Sequence, residues 1–320
     1  MPLPHRWLKF NLIVLLGLLL GTAALHAEVR LAGVFGDHMV LQREMAVPVW
    51  GWADPGESVA VTLGSQSKQT TADASGKWML KLDAMSAGGP FSLTASGSNK
   101  VTVSDVLVGE VWLCSGQSNM AMTVNRAKDF ENEKQHANFP QIRHFKTNSH
   151  ATPEPQADCS GSWSICTSDS VGGFSATAYC FGRKLYQELN VPIGLINSSW
   201  GGTDVAAWTS LPAQQAVDAI VPKLEAFDRT IAAFDPAQAK STYEAALARW
   251  EKRAATAKKD GKPVPRRPQP VGDPRVNQNR PANLFNGMIN PLIPYAIRGA
   301  TWYQGERNSH SIADGVLYAA

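Results

Sequence analysis

The sequence predicts an α/β fold: a parallel sheet covered by helices, preceded by a small all-β module. Three observations carry this expectation. Residues 28 to about 104 consist of short alternating or β-branched runs separated by turn residues. From about residue 105 strand-like runs alternate with helical ones, and strand–helix–strand units of that size imply parallel pairing. Between Leu211 and Pro274 a charged, helical stretch interrupts the alternation and reads as an insertion.

The first 27 residues have their own logic. Arg6 and Lys9 give a positive start, Leu12 to Leu20 is apolar, and "GTAALHA" supplies small residues for cleavage after Ala27 or Ala24. This pattern is a secretory signal peptide, and its apolar run is too short to span a bilayer unaided. The mature chain is therefore expected in a periplasm or outside the cell, with no membrane attachment once the leader is removed.

Residues 28–104 hold "AVPVWGWADPG", "SVAVTL", "SKQTTADASGKWMLKL" and "FSLTASGSNKVTVSDVLV", each bounded by D-P-G, A-S-G or G-S-N. Strands at such spacing predict a β-sandwich. "DASGKW" reads as a hairpin turn, with Trp50, Trp52 and Trp78 as its core. No catalytic constellation falls in this stretch, so it is expected to be an accessory module. The domain from 105 to 320 then offers strands at Glu110–Cys114, Gln141–Thr147, "VPIGLIN" and "AIRGATWYQ", and a helix start at Ala313. In the helix "SATAYCFGRKLYQELN", Ala178, Phe181, Leu185 and Leu189 recur every three to four residues, with Asn190 as its stop.

Composition narrows the function classes. The 320 residues are 44% hydrophobic and 18% charged, enough for one large domain or two ordinary ones. Net charge is +3, and losing Arg6 and Lys9 leaves +1, so no nucleic-acid or anionic-membrane surface is expected. Of the four cysteines, Cys159 and Cys166 flank "SGSWSI". In an oxidising compartment that pair can close a small loop, worth roughly 2–3 kcal/mol. Cys114 and Cys180 lie in apolar runs and read as buried small hydrophobes. There is no C-x-x-C, the seven histidines miss metal-ligand spacing, and no zinc site is expected. The basic cluster from Lys258 to Arg267 reads as a solvated loop.

In parallel sheets ligands bind at the carboxyl ends of strands, and three such ends are unusual here. They are Gly116-Gln117-Ser118-Asn119-Met120, Asn197-Ser198-Ser199-Trp200-Gly201-Gly202-Thr203 and Trp302-Tyr303-Gln304-Gly305-Glu306-Arg307-Asn308. Alone, each fits a tight turn or a solvated carboxylate. Together they supply an acyl-transfer site: a serine hydroxyl free to meet an ester, N–H donors for the developing oxyanion, and glycines that let substrate approach bare backbone.

The motifs "GEVWLCSGQSNM", "GLINSSWGGT", "LFNGMINPL" and "IRGATWYQGERN", with the earlier "FGDHMVLQREMAVPVWGWADPGE", resemble the sialate O-acetylesterase group of the SGNH-hydrolase superfamily. The resemblance implies a flavodoxin-like three-layer α/β/α domain that removes O-acetyl groups from sialic acid or related sugars, with no metal or organic cofactor. It implies Ser118 as nucleophile and first oxyanion donor, and Gly201 and Gly202 as the source of a second. Gln304, Gly305, Glu306 and Asn308 match the block that holds a polar donor and orienting groups. Glu306 alternatively supports the catalytic histidine. Arg307 departs from the small residue often found there, and either narrows the pocket or meets an acidic substrate. The expected partner is an acetylated carbohydrate; acetylxylan, or sugar binding without turnover, are the alternatives.

The resemblance also implies a late Asp-x-x-His block, which is missing. Histidines stand at 5, 26, 38, 136, 144, 150 and 310, and none lies three residues after an aspartate. "ADGVLYAA" runs to Ala320 as a helix begins. The expectation is a chain cut before its catalytic Asp and His, with weak hydrolysis on its own.

Overall fold

Residues 28–309 are described in this computed structural model. The leader, His310 and the helix expected from Ala313 lie outside them. Six short strands come first: β1 (Arg30–Leu31), β2 (Val40–Gln42), β3 (Val47–Trp52), β4 (Ser58–Leu63), β5 (Gln66–Thr71) and β6 (Lys77–Leu82). Then come β7 (Gly88–Ser96), the long β8 (Lys100–Gly116), β9 (Phe139–Thr147), β10 (Gly161–Cys166), β11 (Ile193–Ser199) and β12 (Gly299–Tyr303). A three-stranded antiparallel sheet has the order β1-β3-β6, and a nine-stranded mixed sheet takes the rest.

Alternation explains how the two sheets meet. In β6, Trp78, Leu80 and Leu82 are buried while Lys77, Met79 and Lys81 face outward. The inward set joins Val47 and Val49 against Val59, Val61, Leu63 and Leu93 in one core. "DASGKW" is a tight turn, closed by Asp73 N donating to Lys77 O, but it does not make the expected hairpin. β5 pairs with β4 and β6 pairs with β3, so the turn carries the chain from one sheet to the other. Trp50 keeps its expected place in the core, 5% exposed, and Trp52 packs partly buried against the same core. Directly opposed residues share a face, and Trp50 opposes Met79 while Trp52 opposes Lys77, on the sheet face opposite Trp78.

β8 belongs to both halves of the molecule. Its first part pairs antiparallel with β7 and its middle parallel with β2. From Glu110 to Gly116 it runs parallel to β11 on one side, and from Trp112 to Gly116 parallel to β12 on the other. The junction expected near residues 104 and 105 therefore falls inside a continuous strand. Gly109 marks a close approach: a Cβ there would lie 1.9 Å from Pro192 O. At this level the buried Glu110 carboxylate is held by Arg43 Nε (2.6 Å) and Arg298 Nε (2.9 Å), tying the first module to the start of β12. Burial pushes that carboxyl up, but the guanidinium groups of Arg298 and Arg43 outweigh it and hold it below the usual range.

The helices are α1 (Ser118–Ala121), α2 (Phe130–His136), α3 (Ala176–Leu189), α4 (Val205–Trp208), α5 (Leu211–Gln215), α6 (Val221–Ala232) and α7 (Pro236–Lys259). Ser175 caps α3 by accepting from Ala178 N at 3.1 Å, and Asn190 closes it in the left-handed region. The buried side of α3 is Ala178, Tyr179 and Gly182, because Gly182 lies directly against Leu195 of β11. Leu189, expected in the stripe, is 42% exposed. α6 and α7 fall in the stretch read as an insertion, with Trp250 Nε1 donating to Pro265 O to fold the following segment back. Among the described residues no helix is long and apolar enough to cross a membrane.

The cysteine expectations need correction. All four thiols are free. The segment between Cys159 and Cys166 is the extended strand β10, whose rise of about 3.3 Å per residue keeps them far beyond disulfide reach. They also pack in different cores, Cys159 against the one that holds Val34 and Phe35 and Cys166 in the one that holds Val171 and Phe174. Burial pushes their thiols up to about 12 and about 11 respectively. Cys180, expected inside, is exposed.

Candidate active site

Parallel register brings the three loops to one level. Gly116 ends β8 opposite Ser199 of β11 on one side and Tyr303 of β12 on the other. Gly116 has φ +138°, and a Cβ there would meet Tyr303 O at 2.1 Å. The loops are stitched together directly above it. Gln117 N donates to Tyr303 O (3.0 Å) and Trp200 N donates to Gly116 O (3.1 Å).

Ser118 opens α1, is exposed, and its hydroxyl has no hydrogen-bond partner among the described residues. Its turn is anchored from below by α3. Ser175 Oγ donates to Met120 O (2.6 Å) and Thr177 Oγ1 to Asn119 O (2.9 Å). Gly201 packs beside it, since a Cβ at Gly201 would lie 3.5 Å from both Cα and Cβ of Ser118. A side chain at position 201 would thus cover the serine.

Glu306 reaches across from the third loop. Its carboxylate accepts from Gln117 Nε2 (2.5 Å) and from Asn119 Nδ2, the two residues that flank Ser118. The carboxylate therefore fixes the nucleophile turn from both sides. Gln304 Nε2 donates to Thr203 O (3.0 Å) and to Asn308 Oδ1 (2.5 Å), and the same Asn308 oxygen accepts from Val205 N (2.9 Å). Asn308 and Gln304 thus tie the third loop to the second, while Gly305 permits the bend before Glu306 with φ +155°. Arg307, expected to narrow the pocket or meet substrate, is paired with Asp204 at 3.1 Å.

The glycine turn has supports that the sequence did not announce. Thr203 Oγ1 donates to Trp200 O (2.8 Å) and accepts from Trp208 Nε1 (2.8 Å). Asn279 accepts from Asp204 N (2.9 Å) and donates to Gly202 O (3.2 Å). Lys146 Nζ donates to Asn197 Oδ1 at 2.9 Å. Only the asparagine-rich run before "LFNGMINPL" could have signalled Asn279, and nothing in its spacing did so.

The four described histidines do not approach Ser118. His38 pairs with Asp105, His136 binds Asn132 O within its own helix, and the His150 carbonyl lies against Gly287. His144 is buried, stacks on Phe174 and accepts from Ser175 N at 3.3 Å. Burial, helped by the Lys146 charge, lowers its pKa to about 3, so it is neutral. Among the described residues no group of three His, Cys, Asp or Glu is placed to hold a metal ion.

Known proteins resemble this chain over the same region. The family described as carbohydrate esterase, sialic acid-specific acetylesterase, matches residues 108–256, which include Ser118, Gly201 and Gly202. The sialate O-acetylesterase of Rattus norvegicus is 35% identical over 314 residues, covering 91% of this chain and 54% of that protein. The chain belongs to the sialate O-acetylesterase family of carbohydrate esterases. The Homo sapiens sialate O-acetylesterase is 33% identical, covering 87% of this chain and 49% of that one. The crystal structure of XAC1771, a novel carbohydrate acetylesterase from Xanthomonas citri, superposes with a TM-score of 0.69 at 31% identity, over 89% of this chain and 53% of that one. The chain spans about half the length of the curated relatives it matches.

Proposed function

We propose that this family member carries the nucleophile side of a serine esterase that removes O-acetyl groups from sugars. In this reading the sheet and its helices form a flavodoxin-like three-layer domain of the SGNH type, with the preceding strands as a β-sandwich module. The supporting observation is the exposed Ser118 hydroxyl, set beside Gly201 and flanked by two amides held on Glu306. Ser118 Oγ adds to the acetyl carbonyl carbon, and backbone N–H groups of Ser118 and of the Gly201–Gly202 turn receive the oxyanion. The C–O bond to the sugar then breaks, the sugar leaves as its hydroxyl, and water releases acetate from Ser118. Glu306, Gln304, Gly305 and Asn308 hold the loops in place.

The base that takes the Ser118 proton comes, in this proposal, from outside residues 28–309, since none of the four described histidines reaches the site. Export to a periplasm or beyond, by the leader in residues 1–27, belongs to the same reading. The test is acetate release by the full-length gene product from O-acetylated sialic acid and from acetylxylan, which also ranks the two substrates. Ser118→Ala abolishes release. Turnover that survives the change would sink the assignment. That no histidine among the described residues stands beside Ser118 favours one second reading, sugar binding without turnover. Equal glycan binding by wild type and Ser118→Ala, with no acetate from either, would select it.

A further inference from the structure

A tryptophan-lined groove lies away from Ser118, where the three-stranded sheet meets the α/β domain. Its volume is about 480 Å³. Its floor is Trp52, Met79 and Lys77 of β3 and β6, with the buried Trp50 beneath them contributing only an edge. Its far wall includes Gln156 and Asn290.

Both floor and wall are set before any ligand arrives. The Arg30 guanidinium covers one face of Trp52 at 3.7 Å and is itself fixed by Asp158 at 2.7 Å. Trp50 is wedged against Phe35 and Tyr295, with ring centroids 4.7 and 6.3 Å away. The wall is held by Asn290 Nδ2 donating to Gln156 O (2.8 Å) and Asn286 Nδ2 donating to Pro153 O (2.8 Å).

We propose that this groove is a second carbohydrate-binding site, which takes uncharged pyranose units of a glycan chain. A pyranose presents an apolar C–H face and a rim of hydroxyls. The groove offers the half-buried Trp52 indole and the exposed Met79 for the first, and amide, carboxylate and ammonium groups from Gln156, Asn290, Asp73 and Lys77 for the second. One anion and one cation leave it without net charge, which selects against an acidic sugar. Pro155 lines both this groove and a second cleft of about 540 Å³, which reaches Ser210 and Leu211 just beyond α4. A chain seated on the tryptophans therefore continues toward the element that follows Gly201 and Gly202. The proposal goes beyond the esterase reading and requires no turnover.

The test is tryptophan-fluorescence titration and calorimetry on the full-chain Ser118→Ala protein, with xylohexaose, cellohexaose and free N-acetylneuraminic acid as probes. The expected result is saturable binding of at least one neutral hexasaccharide with a Kd of about 1 mM or tighter, and none of the acidic monosaccharide. Trp52→Ala and Met79→Glu each weaken that binding by about tenfold or more, a loss of ~1.4 kcal/mol. Met79 is 45% exposed, so its replacement leaves the fold intact and keeps the test open if Trp52→Ala misfolds. Absence of neutral-sugar binding, or wild-type affinity in Met79→Glu, overturns the proposal. Binding present in wild type but lost in Ser118→Ala also overturns it, by placing the sugar at Ser118.

Discussion

Replacing Gly116 by alanine isolates the contact on which the three loops depend. The residue has φ +138°, where a side chain costs on the order of 1–3 kcal/mol in backbone strain alone. The added Cβ would also lie 2.1 Å from Tyr303 O and 2.6 Å from its carbonyl carbon, so β12 must retreat by about 1 Å, an overpacking cost of roughly 1–3 kcal/mol. That movement stretches the Gln117 N to Tyr303 O bond, a further ~1 kcal/mol. The expected loss is therefore about 3–7 kcal/mol, read as a lower urea midpoint and a Tm depressed by roughly 6–28 °C. Gly202→Ala is the control. Its φ is +72°, but an added Cβ meets nothing within 4 Å, so only the conformational cost of about 1 kcal/mol remains. Gly116→Ala within about 0.5 kcal/mol of wild type, or equal losses in the two variants, would refute the close-approach argument.

Four further outcomes are expected. His144 is protonated more readily when unfolded, so the stability it contributes is complete above about pH 6.5 and is lost as pH falls toward 3. Denaturant titrations should show a slope of up to ~1.4 kcal/mol per pH unit in that window, which His144→Gln flattens. Glu110→Ala leaves Arg43 and Arg298 facing each other without their carboxylate and should cost about 3 kcal/mol by urea denaturation, with Glu110→Gln intermediate. On the esterase reading, Glu306→Gln keeps the fold but loosens the Ser118 turn. Acetate release should fall about tenfold to a hundredfold in kcat with little change in KM. Alkylation followed by mass spectrometry should find four free thiols, with Cys180 labelled first; a Cys159–Cys166 bridge would contradict the strand between them.

Much of the site was legible because its chemistry is local. "WLCSGQSNM", "NSSWGGT" and "TWYQGERN" each end an apolar run in small and polar residues, and the structure joins them through Gly116, Gly201 and Glu306. The supports were hidden because they depend on which distant loop returns beside the site. Asn279 binds the Gly202 turn from 77 residues away, and no periodicity encodes that partnership. The β-rich start was legible from alternation, yet pairing was not: "DASGKW" has the composition of a hairpin whichever strands flank it. The Cys159–Cys166 reading failed for a similar reason, since "SGSWSI" is turn-like by composition but pairs along β9 as an edge strand.

The placement of β8 also sets a timetable for synthesis. Its flank is closed on one side by β11, but the strand that closes the other, β12, begins at Gly299. At ribosomal rates of about 5–20 residues per second, the nascent chain carries Trp112 and Leu113 beside an open flank for roughly 10–40 s. For that interval an apolar strand edge is available to any other chain. A helper that shields such edges during translation would thus raise the yield of this protein more than its rate of refolding from dilute solution.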